Sequence, residues 1–239
     1  MLVVNELTGA WGIPSVSPFC LKLTTWLRMA DLPYERGRNT NPFKAPKGKF
    51  PWVDDDGEII ADSGHIIARL TEKHGVALDA HLTERDRAAA HALRRLVEDS
   101  FYFALIWERW IDPSGWAYVK RDYFRSLPGP ARAIVPGFAR RKVRAYLDGQ
   151  GMGRHSPDEI RAHGLSDLDA LSTTLKERGP YFFGEPSSFD AVAFGFLAQL
   201  RWSPVASPLT ERVQRDDALA GYCERMRARY WPDMKPEVG

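Results

Sequence analysis

Apolar residues change their spacing once along the chain, and that change divides it. Leu2-Val3-Val4-Asn5-Glu6-Leu7 is a short run closed by Gly9 and reads as a strand. Behind it Ser17 is a favoured N-cap and Pro18 a favoured first helical residue, and Leu21, Leu23, Trp26, Leu27 and Met29 carry apolar positions as far as Asp31. Pro33-Tyr34-Glu35-Arg36 reads as a second strand. Phe50-Pro51-Trp52-Val53 and Glu58-Ile59-Ile60-Ala61 are two more apolar runs, joined by Asp54-Asp55-Asp56-Gly57 into a hairpin with Gly where φ must be positive. Ser63 then caps a helix through Ile66, Ile67, Leu70 and His74, with Gly75 as its stop. The order is β-α-β-loop-β-β-α.

From Thr83 the strand spacing disappears. Ala89, Leu93, Leu96, Val97, Ala104, Trp107 and Ile111 follow a period near 3.6, which predicts one long helix to about Ile111. Further helices are expected over 115–125 and 131–147, separated by Leu127-Pro128-Gly129-Pro130. Ser156-Pro157-Asp158-Glu159 and Ser187-Ser188-Phe189-Asp190 are capping patterns that open two more, and 218–230 forms a last amphipathic one. The expected class is α/β plus all-α, with domains over 1–76 and 83–239.

Charge and composition narrow the partners. In 239 residues, 33 Lys and Arg face 31 Asp and Glu, so the net charge of +2 makes no bulk case for nucleic acid or an anionic membrane. Arg140-Arg141-Lys142-Val143-Arg144 is a local basic cluster and reads as a solvated helix face. Cys20 and Cys223 lie far apart, and no Cys or His has a neighbour at metal-ligand spacing, which suits a reducing compartment and predicts no metal site. The first residues lack a basic leader, and the longest apolar stretch, Ala191 to Leu200, is about half a membrane span. A cytoplasmic location with no membrane segment is therefore expected.

Three motifs carry a resemblance. Ser17-Pro18-Phe19 resembles the catalytic-serine segment of tau-class and similar glutathione transferases, Lys49-Phe50-Pro51-Trp52-Val53 the stretch that holds that family's cis-proline, and Asp62-Ser63 its acidic-plus-serine pair for the γ-glutamyl end of glutathione. Ser17-Pro18-Phe19-Cys20-Leu21-Lys22-Leu23 together with Lys44-Ala45-Pro46-Lys47-Gly48-Lys49 resembles the metaxin and failed-axon-connections branch. The resemblance covers nearly the whole chain. It implies the glutathione transferase fold, a thioredoxin-like domain followed by an all-helical one, and a homodimer.

The roles implied are concrete. Ser17 would stabilise a thiolate whose free thiol has a pKa of ~8.5, helped by the helix start, with Ser15 a substitute hydroxyl; as a plain residue Ser17 is an N-cap. Phe50, before Pro51, would pair its backbone with the cysteinyl part of glutathione, and Lys49 or Lys47 would meet the glycyl carboxylate. Ser63 would take the γ-glutamyl carboxylate and Asp62 the ammonium, unless they serve only as cap and turn residues. Trp11, Trp107 and Trp110 would line an apolar pocket for a small electrophile. Cys20 stands three residues after Ser17 like the second thiol of a redox pair whose first has become serine, and more simply faces the core. The implied function is glutathione conjugation of the detoxifying kind. A non-catalytic glutathione-binding or protein-interaction member of the fold is the alternative, since metaxin-like relatives use it in membrane-associated protein handling, and disulfide reduction through Cys20 is a third.

Overall fold

The computed structural model describes residues 1–37 and 45–235. Residues Arg38 to Lys44, and with them part of the basic loop that carries the branch resemblance, lie outside the described residues. Strands β1 (Leu2–Asn5), β2 (Glu35–Arg36), β3 (Trp52–Asp55) and β4 (Glu58–Ala61) form one sheet in the order β2-β1-β3-β4. β1 and β2 are parallel and joined through helix α1 (Pro18–Met29), while β1-β3 and β3-β4 are antiparallel. The expected second strand shrinks to Glu35 and Arg36, since only these two residues pair, with Val3 and Val4. The hairpin is as read: Asp55 faces Glu58, so Asp56 (φ 54°) and Gly57 (φ 95°) form a two-residue loop with both φ positive, the geometry that matches strand twist. Gly57 N–H donates to the Asp54 carboxylate at 2.7 Å.

Leu2, Val4 and Val53 turn one sheet face onto Leu23, Trp26 and Leu27 of α1 and onto Ile66 and Leu70 of α2 (Ser63–His74). Gly75 ends α2 in the left-handed region at φ 63°. The rest of the described chain is helical: α3 (Glu84–Arg95), α4 (Tyr102–Trp110), α5 (Pro113–Asp122), α6 (Gly129–Gln150), α7 (Pro157–Arg178), α8 (Ser188–Arg201), α9 (Pro208–Arg215) and α10 (Asp217–Tyr230). The helix expected to run unbroken to Ile111 instead carries a π-helical segment at Leu96–Phe101 between α3 and α4. Its buried residues, Val97 and Phe101 followed by Ala104 and Leu105, are spaced so that either winding buries them, which hides the wider turn from a periodicity argument. The short α9 was also unforeseen. Its Ser207 cap and Pro208 are sequence signals, but eight residues hold only Leu209, Thr210 and Val213 as buried positions.

The two parts of the chain meet along α1 and α8. A Cβ at Gly195 of α8 would come within 2.8 Å of the Lys22 amide nitrogen and the Pro18 carbonyl oxygen, so only glycine allows this approach. Trp26 Nε1 donates to Ser188 Oγ at 3.1 Å, and Trp231 Nε1 to Thr25 Oγ1 at 2.9 Å. The large helical core around Phe101, Leu168, Phe194 and Tyr222 extends to Leu21 of α1.

Candidate functional site

Sheet register gathers three of the motifs at one end of the molecule. Asn5, the last residue of β1, faces Trp52, the first of β3, and Trp52 faces Ala61, the last of β4. The loop leading to Ser17, the cis Phe50-Pro51 bond and the Asp62-Ser63 pair are therefore continuous with neighbouring strand ends. Helical residues hold the first of these segments. Buried Arg109 of α4 donates to the Gln199 side chain at 2.8 Å, to the Gln199 carbonyl and to the Val16 carbonyl at 3.4 Å, and Gln199 Nε2 donates to the Ser15 carbonyl at 3.0 Å.

At the start of α1, Ser17 is half-buried and its Oγ accepts the Cys20 amide at 3.3 Å, the N-cap bond. Ser15 is fully buried; its hydroxyl donates to the Leu7 carbonyl at 2.7 Å and accepts the Ser17 amide at 3.3 Å. Ser17, with its hydroxyl proton still to place, is thus the more open of the two. Cys20 is buried, and that burial pushes its thiol up to about 12, so it stays protonated at neutral pH and cannot open a disulfide exchange. Close by, Glu6 is buried against Arg36 (3.0 Å), and burial pushes its carboxyl up to about 7.

The start of α2 is built differently. Asp62 (φ 85°), not Ser63, is the N-cap: its carboxylate accepts the Gly64 amide at 2.9 Å and the His65 amide at 3.3 Å, which turns it onto the helix instead of leaving it for an ammonium alone. A carboxylate satisfies two end amides at once, so it displaces the serine expected in that place. Ser63 is buried behind it, and its Oγ accepts a hydrogen bond from Lys22 Nζ at 3.1 Å. Lys22, only 2% exposed, also donates to Glu98 Oε1 at 2.6 Å, and burial pulls its ammonium below the usual lysine range. Glu98 belongs to the π-helical segment. Lys22 and Glu98 escaped the sequence reading; a lysine in the middle of an apolar helix face was the signal that could have found the first.

Among the described residues the three expected pocket tryptophans do not line one groove, although Trp11 and Trp110 each pack on Tyr123, at 5.3 and 6.2 Å. Trp107 is buried in the helical core with the Arg161 guanidinium 5.5 Å from its ring, because its helical spacing puts it on the packed face of α4. Trp110 packs against Trp116 at 6.0 Å and Phe124 at 6.1 Å. Trp11 donates to Asp122 at 2.8 Å and lines a groove of about 800 Å³ with Trp202, Val205, Arg201 and Arg227, in which neither Trp107 nor Trp110 takes part. Lys49 is exposed with its ammonium 5.2 Å from the Tyr146 ring of α6.

Family models match the chain twice, the glutathione S-transferase N-terminal domain over residues 18–115 and the C-terminal domain over residues 164–226. An isoprene-epoxide–glutathione S-transferase of Rhodococcus sp. (strain AD45) is 32% identical over 237 residues, covering 96% of this chain and 99% of that protein. The chain belongs to the glutathione S-transferase superfamily. Within it the chain is metaxin-like: Failed axon connections of Drosophila melanogaster is 33% identical over 92% of this chain, which spans 56% of that longer protein, and metaxin-1 of Sus scrofa is 29% identical over 97% of this chain and 75% of its own length. The transferase fold is shared with solved structures such as a Methylobacterium radiotolerans glutathione S-transferase in complex with glutathione sulfonate, at a TM-score of 0.61 and 18% identity over 100% of this chain and 96% of that one. The expected cytoplasmic location is withdrawn, because the metaxin relatives of this transferase-family member point away from a purely cytoplasmic one. Among the described residues no helix is long and apolar enough to cross a membrane.

Proposed function

We propose that this chain binds glutathione at the common end of β1, β3 and β4 and transfers it to a small apolar electrophile. The observation that carries the reading is the register Asn5-Trp52-Ala61, which brings the ends of the three motif segments to neighbouring strands. In this reading the backbone of Phe50, exposed by the Pro51 turn, pairs with the cysteinyl unit; Ser63 donates to the γ-glutamyl carboxylate; Asp62 faces the ammonium; Lys49 meets the glycyl carboxylate. Ser17 donates its hydroxyl proton to the thiolate while its oxygen keeps the cap, a division a hydroxyl can sustain because it is donor and acceptor together. With an epoxide the thiolate sulfur bonds to one ring carbon, the bond from that carbon to the ring oxygen breaks, and the oxygen takes a proton from water to leave a hydroxyl. The name of the Rhodococcus relative recommends small epoxides as the first electrophiles to try. A homodimer belongs to the same reading and is tested by sedimentation.

Titration calorimetry with glutathione beside an S-alkyl glutathione is the direct test. Binding of both with millimolar affinity or better, followed by turnover of a short-chain epoxide, supports transfer; no heat and no thermal shift at millimolar glutathione would remove it. The second reading, a glutathione-binding or interaction protein without turnover, draws on the Failed axon connections and metaxin likeness and on the buried carboxyl of Glu6 near the α1 start, whose negative charge works against a thiolate. Binding of both peptides without turnover of any electrophile would favour it.

A further inference from the structure

The proposed glutathione reading, on which this inference rests, leaves one buried cation without a task. Lys22 lies on the middle of α1, where an apolar residue would pack against both the α2 start and the helical part without any desolvation cost. Its ammonium instead reaches Ser63 Oγ at 3.1 Å and Glu98 Oε1 at 2.6 Å. The Ser63 oxygen is therefore engaged as an acceptor, and the proton it carries is left to be donated elsewhere. Asp62 meanwhile holds the Gly64 and His65 amides, two donors that an anion at a helix start would otherwise use. Arg94 of α3 stands over the same turn, its Nη1 3.7 Å from where a Cβ on Gly64 would lie. Two cations, Lys22 and Arg94, and two carboxylates, Asp62 and Glu98, thus lie about the start of α2, with Lys22 on the Ser63 hydroxyl itself, a set that matches a zwitterionic α-amino-acid end better than a bare anion.

We propose that Lys22 is the positioning residue for recognition of a free α-amino-acid carboxylate: Glu98 holds its ammonium, the ammonium fixes Ser63 as a donor, and its charge stands behind the hydroxyl that meets the ligand. Glu98 takes one of the three ammonium protons, and a second goes to the hydroxyl at the start of α2, which ties the charge of Lys22 to that serine. The assignment makes selectivity for the γ-glutamyl carboxylate depend on a residue that does not touch the ligand.

The test compares two ligands by calorimetry: glutathione, and 4-aminobutanoyl-cysteinyl-glycine, which is glutathione without its α-carboxylate. The parent protein is expected to prefer glutathione by about 10- to 100-fold, the range of one charge-assisted hydrogen bond. The charge-neutral double variant Lys22→Met/Glu98→Gln, which leaves no buried ion unpaired, is expected to bind the two within about threefold of each other. A preference that survives in the double variant, both affinities falling by one common factor, overturns the proposal and reduces Lys22 to packing. Should that variant fail to fold, Lys22→Gln, which keeps an amide donor without the charge, is read by the same ratio and condemned by the same outcome. Equal binding of the two ligands by the parent also overturns the role of Lys22 while leaving glutathione binding intact. Binding of neither by the parent overturns the glutathione reading itself.

Discussion

The starts of α1 and α2 lie at one end of the sheet, and each has a serine there. In α1 the serine is the cap, and its oxygen holds the Cys20 amide. In α2 an aspartate takes the cap, and the serine one residue later is freed for Lys22. The charges beneath them are opposite: Glu6 lies close to Cys20 under α1, Lys22 under α2. A hydroxyl that also holds a helix end joins stability to chemistry, so its loss is read in both; a hydroxyl relieved of capping can be tested more cleanly. At the first end one hydroxyl serves the helix, and at the second the helix is served by a carboxylate and the hydroxyl answers to a buried ammonium.

The contrast breaks hardest at Lys22. Lys22→Met alone leaves Glu98 without its counter-ion, and the variant is expected to lose about 3–5 kcal/mol in denaturant unfolding, most of it regained when Glu98→Gln is added. A single variant as stable as the parent would mean that the pair does not hold the two parts together. Next comes Glu6. Its folded carboxyl, raised to about 7, binds a proton more tightly than in the unfolded chain, so the stability it contributes is fully present below about pH 4.5 and lost as pH rises through 7, by at most about 3 kcal/mol. Unfolding midpoints followed from pH 4.5 to 8 should show that decline in the parent and a flatter profile in Glu6→Gln; parallel profiles would move the titration to another group. At α2, Ser63→Ala should weaken glutathione binding by about 1–3 kcal/mol while the Asp62 cap keeps the helix. An unchanged affinity would reassign Ser63 to packing. The smallest stability effect belongs to Ser17→Ala, at about 0.5–2 kcal/mol for the lost cap. If Ser17 also donates to the thiolate, the bound thiol, followed by its ultraviolet absorbance, should titrate roughly one to two pH units higher in that variant. A thiol that titrates as in the parent would turn attention to the amides of the helix start.

Hairpin, helix starts and the change from mixed to helical structure were legible because each is encoded within a few neighbouring residues: Asp56-Gly57 for the loop, Ser17-Pro18 for α1, Ser156 with Glu159 for α7. The cap of α2 was misread by one residue, since Asp62 and Ser63 are both good caps and only the turn after β4 decides between them. Lys22 with Glu98, 76 residues apart, and Arg109 with Gln199, 90 apart, could not be read, because each pairing exists only once helices distant in sequence have packed together. Trp107 lies in the helical core for the same reason: aromatic character marks core and pocket alike, and packing alone chooses.

The glycine of α8 that lets α1 approach has a consequence for how this chain can be altered. Gly195 places its backbone against Lys22 and Pro18, and Ala191, one turn earlier, joins the cluster under the sheet. The sheet-bearing half therefore borrows part of its interior from the other half. Cut after Leu82 and expressed by itself, it would present the bare side of α1 to water, and the fragment is unsuited to being a free-standing module. Grafting a new helical half onto it, to change what it reacts with, calls for a glycine at the matching turn before any question of pocket shape arises.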